Sequence, residues 1–599
     1  MVSRAPTGRL LNATSMPSGM KIGGDEPGYE AVEPGEWSIV DADARQYVRS
    51  ATREVASLVR TTYGPLGMEK QLRTMDRKNN PETVHTSDAG EILDGIQRAQ
   101  GFTHPVAALF VDAVESMQRG LRDGASTAIL LTDALVEHGL DLVEEGVHPG
   151  TVVVGYAIAA GRAGEVLDEL ARPVQPDDAA LLRDVAATAM AGELDEPTRD
   201  RYADLVVEAV GGLATVSEDW IDTDDVKLLA GPGEPGGLTR GLIVRRYQEE
   251  LGAGEEAERE QNWSIRDKVE WEFDWSLMEP LEDATIALLD REIDFERSAT
   301  SFGGDGAEEN RKSGVDLRSL EDLEAYRAGR DDRIGATADR LADLGVDVLV
   351  SQPEVDGEVV FALEERDIVV VDEVEYPLSD VYRLARASGG EVVANVEELT
   401  ADHLGSVGRV SERRVGDEKW TEFDDCPGGV FTLVVDSETA TERERRERIV
   451  EDAVAVTGTA AVDRQVLPGA GAAAMAVATD LRSYAESVEG RERLAVEAFA
   501  DALSDLVRVL AENAGADPLD AVATLRAAHA AVDGPAALGI VPDAGEPVDA
   551  WEAGVVEPRR VFSQAVETAR ATTERLITID AVLHPDVDLE RFVSEPHRE

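Results

Sequence analysis

Amphipathic helical segments occupy both ends of this 599-residue chain, and strand-forming runs are confined to its middle. Residues 39–60 place Ala44, Val48, Ala51, Val55 and Leu58 at three-and-four spacing, which puts them on one helical face. That helix ends in TTYGPLGMEK; a second spans 126–145 and stops at GVHPG, and a third spans 151–170. Near the other end, 494–515 repeats the pattern through Phe499, Leu503, Leu506 and Leu510, with Gly515 as the C-terminal stop. Between them lie LIVRRY (242–247), TIALL (285–289), VDVLV (346–350), DIVVVD (367–372), EVVANV (391–396) and FTLVVD (431–436). The helical stretch LSDVYRLARAS (378–388) falls among them, an alternation that reads as an α/β unit. An α/β block flanked by two helical blocks implies one domain interrupted by another, with the outer pieces packing together. Residues 250–275 and 297–335 are polar and acidic, and read as exposed insertions. No short repeat is present.

Composition narrows the partners. The net charge is −63, carried along the whole chain and not in a tail. Such a surface repels nucleic acid and anionic membrane. Only seven of the 58 basic residues are Lys. A charge this large is tolerable where salt is high, since the screening length is ~3 Å at 1 M against ~10 Å at 0.1 M. The composition reads as that of a halophile's cytoplasm. No apolar run approaches the ~20 residues of a membrane span, and the opening MVSRAPTGRLLNATSMPSGMK lacks a signal peptide's apolar segment. Cys426 is the single cysteine, which excludes an internal disulfide and a cysteine-based zinc site.

The stretch LRDGASTAILLTDALVEHG (121–139) sets Asp123 and Gly124 at the mouth of an apolar helix. A helix N-terminus offers unpaired N–H groups and partial positive charge, which suits a phosphate. Gly124, Ala125 and Ser126 would allow close approach, and Asp123 could hold a Mg²⁺ that the phosphate shares. Taken alone, the stretch fits equally a plain Asp-Gly turn with Ser126 or Thr127 as N-cap. Related loops recur: TSDAGEIL (86–93) with Asp88, VLPGAGAAAM (466–475), and ERIVEDAV (447–454) with Asp452 on a helix.

In order along the chain these segments resemble the group II chaperonins, the thermosome and eukaryotic cytosolic chaperonin family. TTYGPLGMEK resembles that family's Thr-Leu-Gly-Pro-Lys-Gly-Met-Asp-Lys, TSDAGEIL its Thr-Asn-Asp-Gly-Ala-Thr-Ile-Leu, and RDGAST its Gly-Asp-Gly-Thr-Thr-Thr. HPVA (104–107), GVHPGTVVVGY, PGAGA, LRSYAESVEGRERLAVEAFADAL, LAENAGADPLD and GVVEPRRV match in turn. The resemblance runs from about residue 36 to 585.

The resemblance implies a multidomain α+β fold. Residues 36–154 and 440–590 would form a helical equatorial ATPase domain, 155–226 and 403–439 an intermediate domain, and 227–402 an α/β apical domain with its lid protrusion at 297–335. Residues 1–35 would be a flexible extension and 591–599 a tail. Such subunits form double rings, of one or several related subunits, that bind and enclose non-native protein using ATP and Mg²⁺. By resemblance, Asp123 is the Mg²⁺ ligand, and Gly124, Ala125, Ser126 and Thr127 cradle phosphates. Tyr63, Gly64 and Pro65 form the second nucleotide loop, and Gly471 falls in a third beside the nucleotide. Asp88 and Asp452 correspond to the carboxylates that position and activate water, and Asp549 falls toward the ribose.

The departures are specific. Arg122 and Ala125 replace a Gly and a Thr of the phosphate loop, Ala89 replaces the Gly after Asp88, Leu66 stands where Lys is usual, and Ala470 interrupts the Gly run. In TAMAGELDEP, Glu193 stands where the family carries a Lys that senses the γ-phosphate; Arg162 or Arg199 is the candidate substitute cation. Two functions fit: an ATP-driven folding chaperone, or an ATPase-impaired ring subunit acting in assembly or client binding.

Overall fold

The computed structural model describes residues 36–75, 81–100, 105–118, 120–216, 221–232, 236–247, 278–291, 293, 320–374, 379–415, 418–437, 439–532, 534–540 and 547–585. The expected extension (1–35), the insertion at 250–275 and residues 297–319 of the expected lid lie outside them. The chain divides into two compact units, Met1–Asp200 with Ala455–Glu599, and Arg201–Val454.

The first unit begins with β1 (Glu36–Val40), α1 (Asp41–Arg60), β2 (Lys70–Met75), β3 (Pro81–Thr86), α2 (Ala89–Gln100) and α3 (Pro105–Gln118). It continues through α4 (Ala125–Glu144), α5 (Pro149–Leu170), β4 (Arg172–Pro173) and α6 (Ala179–Ala189). Residues 39–40, expected to start the first helix, belong instead to β1, which pairs antiparallel with Ala581–Pro585 near the other end of the chain. His148 caps α5 by accepting from the Gly150 amide, ahead of Pro149 at the first helical position. Helix α7 (Glu196–Val216) leads covalently into the second unit.

The second unit opens with β5 (Val226–Pro232), β6 (Gly237–Thr239), β7 (Leu242–Tyr247) and β8 (Leu281–Leu289). It adds α8 (Leu320–Asp343), β9 (Val348–Ser351), α9 (Gly357–Glu364), β10 (Val369–Val371), α10 (Ser379–Ser388) and β11 (Val392–Val393). It closes with β12 (Gly405–Val415), β13 (Glu418–Asp424), β14 (Phe431–Ser437) and α11 (Ala440–Asp463). A seven-stranded sheet runs β10-β9-β8-β12-β13-β7, with β11 beside β8. Its β8, β9, β10 and β11 pair parallel, whereas β12, β13 and the edge strand β7 continue the sheet antiparallel. The sequence showed the six apolar strands but not β12 and β13, whose few apolar positions are scattered among charged ones: GSVGRVSERRV buries Val407, Val410 and Val415. Residues 320–335, expected as exposed insertion, are the first two thirds of the 24-residue α8, and its Ile334, Ala338 and Leu341 are buried against Leu349 and Leu363.

The chain then returns to the first unit through β15 (Gln465–Pro468), α12 (Ala472–Ala485), α13 (Glu492–Asn513) and α14 (Pro518–Ala530). It ends with β16 (Leu538–Gly539), β17 (Val548–Asp549), β18 (Val556–Pro558), α15 (Arg559–Ile577) and β19 (Ala581–Pro585). The two helical blocks do share one core: Ile129, Leu131 and Leu135 of α4 cluster with Phe499, Leu503 and Leu506 of α13 and with Val561 and Phe562 of α15. Helix α4 is buried almost all round, from Ala125 to Leu140, which marks a central core helix. Tyr156 of α5 sets its ring edge-on to Phe499 at 5.6 Å and donates its hydroxyl to the Leu135 carbonyl, so its one polar atom is satisfied.

Candidate functional site

Two loops of the first unit enter their helices in the same way. Before α4, Arg122 has φ +54° and Gly124 has φ +82°, and Gly124 is the N-cap. Before α12, Ala470 has φ +54° and the N-cap Gly471 has φ +75°. Neither helix receives a side-chain cap, so its leading N–H groups face outward as an anion site requires. Ser126 and Thr127 are therefore not caps: both lie inside the first turn, half-buried, behind Gly124. A Cβ on Gly124 would stand 2.7 Å from Met117 Cε and 3.1 Å from Val561 Cγ1. Arg122 and Ala470, which replace glycines of the family pattern, occupy left-handed backbone that disfavours side chains.

The loop at 61–67 is held from behind. Asn513, the last residue of α13, donates its side-chain amide to the carbonyls of Arg60 and Tyr63, 2.8 Å each. Gly64 has φ +87° and lies so close to α13 that a Cβ would be 2.4 Å from Leu510 Cδ1; Gly471 packs on the same Leu510. The tight turn at Gly192 rests on Pro65, where a Cβ would come within 2.0 Å of the Pro65 carbonyl oxygen. The next residue, Glu193, accepts a hydrogen bond from Ser87, the neighbour of Asp88. The two candidate substitute cations are engaged with carboxylates: Arg162 with Asp480 and Glu165, Arg199 with Asp200.

The carboxylates here are strongly perturbed. Asp88 caps α2, accepting from the Glu91 amide at 2.7 Å, yet burial, with the charges of Glu91 and Asp123, pushes it up to about 6. Asp123 is also raised by desolvation, partly offset by the Gly124 amide at 2.6 Å. Asp123 itself is exposed to solvent at the mouth of α4. Glu557 of β18 is pushed up to about 8, first by burial and then by Asp123. Tyr63 shares a hydrogen bond with Thr127 and is pushed up to about 12, mainly by burial. Burial next to mutually repelling carboxylates marks a place built for a cation or for proton chemistry.

Tyr63, Asp88, Asp123 and Thr127 are thus interconnected, with Gly64, Pro65, Gly124, Ala125, Ser126 and Gly471 in the loops around them. Asp549 accepts through Oδ1 from the Trp551 and Glu552 amides, which shapes the turn after β17. Besides Asp88, Glu557 is coupled to Asp123, and nothing in the stretch GVVEPRRV signals it. Asp452 lies on α11 in the second unit and is half-buried.

Among the described residues no three His, Cys, Asp or Glu side chains form a ready metal cluster. Mg²⁺ needs none, because it keeps water and phosphate oxygens and takes one or two carboxylates from the protein. Asp123, fixed beside a helix N-terminus, fits that role; Mg²⁺ there would neutralise phosphate charge. Among the described residues no helix is long and apolar enough to cross a membrane.

A helix mouth flanked by a solvent-accessible carboxylate and framed by two glycine loops from opposite ends of the chain defines a nucleotide-binding class of site. The chain belongs to the TCP-1/cpn60 chaperonin family, which it matches over residues 55–586. It is 33% identical to a thermosome subunit of Methanopyrus kandleri over 569 residues, covering 94% of this chain and 96% of that one. It is 34% identical to thermosome subunit 1 of Haloferax volcanii, covering 90% and 89%, and 32% identical to thermosome subunit alpha of Halobacterium salinarum, covering 90% and 88%. The chain is a group II chaperonin subunit that acts in protein folding; ATP binding and assembly into double rings are general properties of this family.

Proposed function

We propose that this subunit binds Mg–ATP at the mouths of α4 and α12 and uses its hydrolysis to enclose non-native protein in a cytoplasmic double ring. The observation that carries the reading is Asp123 beside the left-handed, side-chain-uncapped Gly124 at the start of a buried helix. In it, Asp123 holds the Mg²⁺, the amides of Ala125 to Thr127 meet phosphate oxygens that Gly124 lets come close, and the Tyr63–Pro65 and Gly471 loops flank the nucleotide. Asp88 and Asp452 orient and deprotonate the attacking water; phosphoryl transfer needs little else beyond charge neutralisation and alignment. Asp549 lies toward the ribose. Residues 36–154 with 440–590 act as the equatorial domain, 155–226 with 403–439 as the intermediate domain, and 227–402 as the apical domain.

A second reading, a ring subunit with weak hydrolysis, is favoured by one observation: Glu193, bonded to Ser87 beside Asp88, places an anion where the family carries a cation. One experiment separates the readings. Electron microscopy and phosphate release are measured in molar KCl for the parent and for Asp123→Ala, alone and with sister subunits. Rings with turnover that Asp123→Ala abolishes support the first reading; rings without turnover support the second. Absence of rings from the parent, alone and with sister subunits, refutes both.

A further inference from the structure

His529 stands in the last turn of α14 and is only 3% exposed. Its Nε2 lies 2.7 Å from the Leu538 carbonyl oxygen. A carbonyl only accepts, so Nε2 carries the proton and Nδ1 is the bare nitrogen of a neutral ring. Nδ1 is itself buried without a hydrogen-bond partner. Burial accordingly holds the ring's pKa below the ordinary histidine range, although the Leu538 bond opposes this. A residue that leaves one buried nitrogen unsatisfied is a costly choice for simple filling.

The bond it makes leads directly to a loop of the site. Leu538 and Gly539 form β16, paired with Val548 and Asp549 of β17. The next residue, Ile540, donates its amide to the Ala470 carbonyl at 2.9 Å. Gly539 lies flat on Ala470: a Cβ there would be 2.7 Å from the Ala470 oxygen and 2.8 Å from its Cβ. From the other side the Gly469 amide donates to the Val555 carbonyl at 2.8 Å. Ala470, left-handed at φ +54°, needs outside support that a glycine would not. The segment Leu538–Ile540 supplies it, and His529 anchors that segment.

We propose that His529 is a positioning residue for nucleotide binding: its Nε2–H fixes Leu538–Ile540, which holds the Gly469–Gly471 loop in its ligand-ready left-handed form. The proposal rests on the reading that this loop flanks the nucleotide. The test uses the full chain in molar KCl and compares the parent with His529→Phe, which keeps the ring's bulk but removes the donor. It adds His529→Gln, whose amide nitrogen can reach the same carbonyl, and Gly539→Ala, which pushes the segment off Ala470 from its other end. ATP affinity is measured by calorimetry, and KM and kcat by phosphate release, with circular dichroism on every variant.

His529→Phe is expected to weaken ATP binding about tenfold, the size of one lost buried hydrogen bond, and to raise KM more than it lowers kcat. His529→Gln restores most of the affinity, and Gly539→Ala reproduces the KM rise. If His529→Phe does not fold, the Gln and Gly539→Ala results decide. Parental affinity in Gly539→Ala, or in a folded His529→Phe, overturns the proposal, as does a Gln variant no better than Phe. A parent that binds no ATP overturns the underlying reading as well, by a signal none of the variants can mimic.

Discussion

Gly124 and Gly471 offer a matched pair for one substitution. Each is a left-handed N-cap, at φ +82° and +75°, entering a buried helix. In both, a change to Ala places a Cβ in a conformation that costs about 1–2 kcal/mol. Restricting the unfolded chain returns about 0.4–1 kcal/mol of that. The surroundings then separate them. At Gly471 the nearest atoms are Val507 Cγ2 at 3.2 Å and Leu510 Cδ2 at 3.5 Å, so small shifts suffice and a net loss of about 1 kcal/mol follows. At Gly124 the new atom meets Met117 Cε at 2.7 Å and Val561 Cγ1 at 3.1 Å, and Met117 is fully buried. Overpacking of that kind adds about 1–3 kcal/mol, for a net loss of about 3. Guanidinium unfolding followed by circular dichroism in molar KCl should therefore rank Gly124→Ala well below Gly471→Ala. Because α4 carries the proposed phosphate site, ATP affinity should also fall roughly tenfold or more in Gly124→Ala. Equal losses of stability, or a larger loss at Gly471, would refute the assignment of the difference to Met117 and Val561.

Asp452→Ala should keep ATP affinity within a few-fold and abolish phosphate release; parental turnover would reduce Asp452 to a helix-face residue. Glu193→Lys should raise turnover, since two unit charges ~4 Å apart at an effective dielectric of ~20 interact by ~4 kcal/mol and the substitution reverses their sign toward phosphate; unchanged turnover counts against Glu193 facing the nucleotide. Cys426 is 1% exposed, and burial, with the charges of Asp424 and Asp425, pushes its thiol up to about 12. Raising that pKa from about 9 leaves ~1,000-fold less thiolate at pH 8. An Ellman-type reagent should thus label native protein at least that much more slowly than a free thiol, with reactivity rising as pH climbs toward 12 and complete on unfolding; prompt native labelling would show that the sheet around Phe423 opens readily.

The helical ends were legible because their apolar spacing is strong, and α1, α4, α5 and α13 fall within two or three residues of the expected spans. What the sequence hid is non-local. Pairing of Glu36–Val40 with Ala581–Pro585 leaves no local signature in either strand. In β12 and β13 charged residues that meet diagonally across the strands, such as Arg413 with Glu422, outnumber and hide the buried apolar positions. The Gly124 cap displaced Ser126 and Thr127 because backbone handedness, not side-chain chemistry, starts that helix. Glu557 and Asp549 are both acidic residues near the chain end. Only depth and the field of Asp123 distinguish them, and neither can be read from letters. Asn513 was quoted in LAENAGADPLD, yet its two carbonyl partners lie some 450 residues earlier.

Leu510 touches two loops that the chain connects only by a detour through the entire second unit. Gly64 and Gly471 stand 407 positions apart, and both lean on this one side chain. The detour can lengthen, shorten or exchange its insertions without altering the spacing of those loops, because Leu510 and not the intervening chain is their common abutment. A reshaped abutment would disturb both loops together. Leu510→Ala belongs with mutations that act on two places at once, and its effects on them should rise and fall as a pair.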